Sequence, residues 1–286
     1  MDAITERTVR LNVCVLEDVP ELLEDVTFNV ASVLRSALAP RTDESRSYEV
    51  ALPLIEPVIV STDNIATARD YIRRGVCDLL VADLKVKESQ QSPREGASCL
   101  PLLREIKRQQ LLTPVLVHSV HRDLLDAVVA NSLAVSAISK LEKNSVSTLA
   151  GSCGTVATSL AFFKQKLLAG LKVLAVAAFE PSPIAQQAHL RAARKLFADV
   201  VVPSFAPPAY RRSVATLVPV LFRVSSVGSP VHGLRQLSIE FVDKIEEIIA
   251  RVVAQRLSFE KDAQPLFKAL EAAGYEVFTR FDDEGQ

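Results

Sequence analysis

The chain has 286 residues, 49% of them apolar, and a net charge of −1. That is core material for one large domain or two of ordinary size, with no global pull toward nucleic acid or anionic membrane. Four widely spaced cysteines without a CxxC pair and a charged, non-apolar start (Met1 to Arg7) lead us to expect reduced thiols, no signal peptide and a cytoplasmic protein.

An apolar run at 11–16 reads as a first strand and stops on Glu17-Asp18. A helix follows from Pro20 to Leu38, with Leu22, Leu23, Val26, Val30, Val33 and Leu34 on one stripe and the proline near its start. After a polar break at 40–47, residues 48–61 carry two apolar runs separated by Pro53 and Pro57, which predicts a hairpin or an embellished strand. The pattern then gives a helix from Asn64 to Arg74 closed by Gly75 and a strand at 78–82 stopping on Asp83. A polar segment from Lys85 to Arg94 predicts an enlarged loop. Beyond it we expect a helix at 97–110, a strand at 114–118 stopping on Ser119, a helix at 122–131, and a strand at 134–139 stopping on Lys140.

Short apolar runs alternating with helical patterns are the mark of a buried parallel sheet. Functional groups in such sheets collect at the carboxyl ends of the strands. Glu17, Asp18, Asp83, Ser119 and Lys140 should therefore meet at one point. Adjacent carboxylates supply hard oxygen ligands for a divalent cation. A third carboxylate beside a hydroxyl and a lysine suits phosphoryl transfer to an acid side chain. Each residue alone has a plainer explanation: acids at a helix start, a strand-end serine, a solvated loop lysine.

Acid pair, aspartate, serine and lysine in that strand order resemble the receiver (CheY-like) domain of bacterial response regulators over about 9–145. Asp78 five residues before Asp83, the 96–107 segment and Thr113-Pro114 fit the same resemblance. It implies a doubly wound, five-stranded parallel α/β sheet of flavodoxin-like type. It implies phosphorylation of Asp83, with Ser119 and Lys140 contacting the phosphoryl group. It implies weakly bound Mg²⁺ on Glu17, Asp18, Asp83 and the backbone carbonyl of Lys85, and a histidine kinase or other phosphodonor as partner. The pattern departs from the family at three places. Lys87 stands where a proline is usual, Val120 where a small residue follows the serine, and Ala137 where an aromatic switch is frequent. The alternative expectation is therefore a pseudo-receiver scaffold that acts through protein contacts without phosphorylation. His118 and His121 flank Ser119 and read as structural, since no further ligand shows metal spacing.

After Lys140, Val146, Leu149, Cys153, Val156, Leu160, Phe163 and Leu167 recur at alternating intervals of three and four. With few charges beside that seam, we expect it to be buried against the chain's own C-terminal domain, with a homodimer as second choice. Farther on, the pattern predicts a helix at 184–197, strands at 200–202 and 214–224, helices at 237–257 and 262–273, and a last strand at 275–279. The expected organisation is a receiver at 1–145, a connecting helix at 146–175 and an α/β or α+β output or interaction domain at 176–286. No stretch is apolar and long enough for a membrane span. Arg191, Arg194, Lys195 and Arg211-Arg212 read as a solvated face, because neither aromatic interleaving nor a helix-turn-helix signal accompanies them; a nucleic-acid partner is not expected. No catalytic constellation suggests an enzyme.

Overall fold

The computed structural model describes residues 8–39, 52–91, 96–226, 234, 237–254, 257 and 263–273. Five strands, β1 (Thr8–Leu16), β2 (Leu54–Thr62), β3 (Leu79–Ala82), β6 (Val115–Ser119) and β7 (Ser136–Ser139), form one parallel sheet in the order β2-β1-β3-β6-β7. A two-stranded antiparallel pair, β4 (Lys85–Val86) with β5 (Ala97–Ser98), lies in the loop after β3. Among the described residues of this half, the helices are α1 (Pro20–Ala37), α2 (Ile65–Arg73), α3 (Leu100–Arg108) and α4 (Arg122–Ala130).

The central strands are apolar on both sides because both faces are covered. One face carries Cys14, Leu16, Leu80 and Val117 against Ile65 and Ile72 of α2, Leu102 and Ile106 of α3, and Leu125 and Val128 of α4. The other carries Leu11, Val13, Val15, Val81, Leu116 and Ile138 against Val26, Val30 and Leu34 of α1. The hairpin expected from Pro53 and Pro57 is instead a single edge strand. Pro57 sits within β2 opposite Leu11, and an edge position tolerates a missing amide. The part of that expectation before Leu52 lies outside the described residues.

Helix α5 (Ser145–Phe179) has 35 residues and is apolar nearly all round. Such a helix is stable in water only when enclosed. It lies against α1 and the sheet and against α6 (Pro183–Ala198) and α8 (Ser238–Val253). All the seam positions from Leu149 to Leu167 are buried within the chain. Gly154 lets α1 approach: a Cβ there would stand 2.6 Å from Val33. Gly170 does the same for Phe197 of α6.

The described residues beyond α5 are helical: α6, α7 (Pro208–Ser226), α8 and α9 (Gln264–Ala272). Two expected strands are corrected. Residues 200–202 are irregular, and 214–224 belong to α7. The valines there invited a strand, but Val214, Leu217, Leu221 and Val224 are buried at helical spacing. The strand expected at 275–279 lies outside the described residues. Apolar packing runs without a break from β1 and α1 through α5 to Leu190, Leu217, Phe241, Ile248 and Phe267. The sheet face and the C-terminal helices thus share one core.

A polar lock fastens this junction. Lys164 of α5 donates to Asp78, whose second oxygen accepts from the Asn12 amide at 2.7 Å. The same ammonium donates to the Val253 carbonyl at the end of α8, 3.3 Å away. Gly75, at φ +71°, meets Ala254 so closely that a Cβ would stand 3.0 Å from it. No helix among the described residues is long and apolar enough to cross a membrane.

Candidate phosphoryl-acceptor site

β1, β3, β6 and β7 deliver Glu17, Asp83, Ser119 and Lys140 to the carboxyl end of the sheet. Lys140 Nζ donates to Glu17 Oε2 and to Asp83 Oδ2, each at 2.6 Å. Asp83 Oδ1 accepts from the Leu84 amide at 2.5 Å. Glu17 Oε1 accepts from the Val19 amide at 3.3 Å, so the turn into α1 also holds the carboxylate. Ser119 is fully buried; its Oγ accepts from the His121 amide at 3.3 Å, and its carbonyl accepts from the Lys140 amide at 3.0 Å. Asp18 is half-buried beside them.

The electrostatics follow from this crowding. Burial pushes the Glu17 carboxyl above its ordinary range, and the Lys140 ammonium offsets that only in part. Burial and then the charge of Asp83 raise Asp18. For Lys140, burial works downward, but its hydrogen bonds to Asp83 and Glu17 prevail and hold it above the usual lysine value. Three carboxylates facing one lysine leave net negative charge, which a hard cation would relieve. As placed, Glu17 and Asp83 each spend an oxygen on Lys140. Among the described residues, no three Asp, Glu, His or Cys side chains are gathered as a metal cluster. The donor chemistry fits a divalent cation that displaces or shares with the ammonium.

The enlarged loop after Asp83 is ordered where it is described. β4 places Lys85 opposite Ser98, two residues beyond Asp83. Gly96 allows this contact, since a Cβ there would stand 3.1 Å from Lys85. The carbonyls of Lys87 and Glu88 accept from the Ile65 and Ala66 amides, which ties the loop to the start of α2. Lys87 Nζ reaches Asp63 Oδ2 at 3.2 Å. The Asn64 hydrogen bond and then Lys87 lower the Asp63 carboxyl. A second cation therefore borders the site. The signal for it was present: β2 also ends on a polar group, Thr62-Asp63, just as the other strands do.

His118 is buried on the α1/α5 side of the sheet, opposite Ile138 of β7, and neither ring nitrogen has a hydrogen-bond partner among the described residues. Burial and the nearby Lys140 charge push it down to about 4, so it is neutral at physiological pH. Val120 is 44% exposed, and Ala137 is partly buried against the α2–α4 side.

The sheet order 2-1-3-4-5, with α1 and α5 on one face and α2 to α4 on the other, is that of a flavodoxin-like doubly wound domain. The Glu17, Asp83 and Lys140 side chains meet on it, with Ser119 at the end of the neighbouring strand. The N-terminal half has the receiver fold. Among solved structures, the chain is similar to the signal receiver domain of a Luxo repressor protein from Vibrio parahaemolyticus, at 19% identity over 52% of this chain and 90% of that one, with a TM-score of 0.34. It is also similar to two structures of the Salmonella typhimurium RcsB response regulator. These are 13% and 14% identical, cover 92% and 93% of this chain and 98% of theirs, and have TM-scores of 0.34 and 0.31. Scores of this size carry no weight for function; the receiver fold rests on strand order and on the converging side chains. No protein-family model matches the sequence, and no curated protein matches it.

Proposed function

We propose that the chain is a two-component-type signalling protein, not an enzyme, whose Asp83 accepts a phosphoryl group. One observation carries this reading: the Lys140 ammonium bridges Asp83 and Glu17 at 2.6 Å each, at the carboxyl end of the sheet. An Asp83 oxygen attacks the phosphorus of the donor. The new P–O bond forms as the bond to the donor's leaving group breaks, and the electron pair leaves with that group. The donor is the phosphohistidine of a histidine kinase or a small acyl phosphate. Lys140 and the Ser119 hydroxyl then hold the phosphoryl oxygens. Bound Mg²⁺ would neutralise charge there, held by Glu17, Asp18, Asp83 and the Lys85 carbonyl. The α5 helix begins five residues after Lys140, and the Ser145 hydroxyl donates to the Lys140 carbonyl at 3.5 Å. It carries the state of the site toward a C-terminal surface for a protein partner, in the cytoplasm, as a monomer or homodimer.

The pseudo-receiver alternative draws on Ala137, which cannot act as an aromatic switch, and on the ion pairs that already satisfy Asp83. Labelled acetyl phosphate with Mg²⁺ separates the two readings. Incorporation into the wild type and none into Asp83→Asn supports phosphoryl acceptance. No label in the wild type at any Mg²⁺ concentration leaves the scaffold.

A further inference from the structure

Lys87 leaves the loop after Asp83 at a fixed point. Val86 before it is fully buried, its own carbonyl accepts from the Ile65 amide at 2.9 Å, and it bridges to Asn64 in parallel register. Asn64 in turn caps α2. Its Oδ1 accepts from the Thr67 amide at 2.9 Å, and its Nδ2 donates to Asp63 Oδ1 at 3.0 Å. The other Asp63 oxygen accepts from Lys87 Nζ at 3.2 Å. Both oxygens of Asp63 are thus aimed, and the ammonium is tethered at the end of β2. A groove of about 420 Å³ joins it to the strand-end acids, lined by Glu17, Asp18, Asp63, Tyr71, Lys87 and Gln90 among others. Lys87 is the one cation among the described residues that line it. Its charge is felt across the groove: burial and then Asp83 raise the Asp18 carboxyl, and Lys87 pulls it back in part. The side chain is 23% exposed, so water screens that charge only in part.

We infer that Lys87 sets the strength of divalent-cation binding at the phosphoryl-acceptor site: its ammonium opposes an ion on Glu17, Asp18 and Asp83, and Asp63 holds it at a set remove. The inference rests on the phosphoryl-acceptor reading of that site. Four carboxylates, Glu17, Asp18, Asp63 and Asp83, stand with two ammoniums, Lys87 and Lys140. The surplus of two negative charges matches one divalent ion, whereas an uncharged residue at 87 would leave three. The two lysines act differently. Lys140 is hydrogen-bonded to Glu17 and Asp83 at 2.6 Å each, so an arriving ion must displace it or share with it. Lys87 is bonded to Asp63 instead and acts on the ion through space. A like charge within a Debye length of a divalent ion weakens its binding about three- to tenfold at low ionic strength. This charge stands where the receiver pattern usually has a proline, which would bring none. The loop after Asp83 thereby decides how readily the site is loaded.

The test uses the full chain and Mn²⁺, which carboxylates bind as they bind Mg²⁺. Electron paramagnetic resonance counts the free ion with no phosphodonor present, and Mg²⁺ is then added as competitor. The wild type binds weakly, and Asp18→Asn removes that binding. Lys87→Gln binds about fivefold more tightly at low salt, and the gain shrinks below about twofold at about 1 M KCl. Lys87→Arg keeps the wild-type affinity, which separates the charge from any packing role of the loop. Asp63→Asn weakens binding more in the wild type than in the Lys87→Gln chain, because only in the wild type does it release a lysine. Arg74→Gln, at the far end of α2, removes equal charge and changes nothing. Unchanged circular dichroism melting shows that each variant folds. An affinity in Lys87→Gln equal to or below that of the wild type overturns the inference, with the site itself intact if Asp18→Asn still abolishes binding. Lys87→Arg as tight as Lys87→Gln, or an equal gain in Arg74→Gln, also overturns it. Ion binding that is absent, or that survives Asp18→Asn, overturns it together with the metal ligands proposed above; labelling of Asp83 by acetyl phosphate tests phosphoryl acceptance separately.

Discussion

Replacing Lys164 by methionine removes a charge from the most enclosed ion pair described. The Lys164 and Asp78 side chains are 2% and 1% exposed, so water screens neither. Methionine keeps most of the volume and leaves the Asp78 carboxylate buried without its cation. Breaking such a pair from one side costs about 3–5 kcal/mol. The lower part of that range applies, because Asn12 still donates to Asp78 from its amide at 2.7 Å and from its side chain at 3.3 Å. The Val253 carbonyl also loses a donor, which adds about 1 kcal/mol. A loss of about 4 kcal/mol is a large part of the 5–15 kcal/mol typical of a domain. Urea unfolding followed by circular dichroism at neutral pH measures it. Asp78→Asn with Lys164→Met removes both charges and recovers at least half of the loss. A single variant that costs under about 1 kcal/mol, or a double variant no better than the single, refutes the idea that this pair fastens α5 and α8 to the sheet.

The His118 ring sets a pH dependence. In the unfolded chain it takes up a proton near 6.5, whereas in the fold it resists until about 4. Below 6.5 the unfolded state therefore binds more protons, and stability falls as the pH drops, by about 3 kcal/mol once below 4. His118→Val abolishes that part of the slope; denaturation curves of both proteins at pH 7, 6, 5 and 4 measure it, and identical slopes count against a buried neutral imidazole. On the seam, Leu160 and Phe163 are 0% and 1% exposed, and Phe163 meets the Tyr210 ring edge-on at 6.1 Å. Leu160→Asp with Phe163→Asp is expected to unfold the chain or open it to limited proteolysis, and a compact, protease-resistant monomer from a dimeric parent would show that the seam serves dimerisation.

The receiver half was legible because its signals are local and repeated. Each apolar run stops on a polar residue, and a parallel sheet converts that one-dimensional pattern into a common site. Glu17, Asp83 and Lys140 came together as the spacing implied. Asp63 shares the strand-end pattern, but its pairing with Lys87 was not legible, since it depends on how the loop after Asp83 is tied to the start of α2. Val214 to Val224 was misread because branched residues favour strands, whereas the packing of α7 against α6 obeyed the buried positions at 214, 217, 221 and 224. The Lys164–Asp78 pair was out of reach of sequence reasoning altogether. The two residues lie 86 positions apart, and a lysine on an apolar seam gives no sign of its partner. In the sequence, Asp78 stands out only by its distance from Asp83.

The proline in β2 bears on how these molecules behave when crowded. A border strand with every amide free is a template on which a second molecule can add its own strand, and repeated addition makes fibres. Pro57 deletes the donor near the middle of that border, and Glu56 beside it, paired with Arg10 at 3.8 Å, sets charge where a flat neighbour would have to lie. Addition there would lose a rung of the ladder and bury a carboxylate. Exchanging Pro57 for valine would restore the template, turning a guarded margin into an adhesive one.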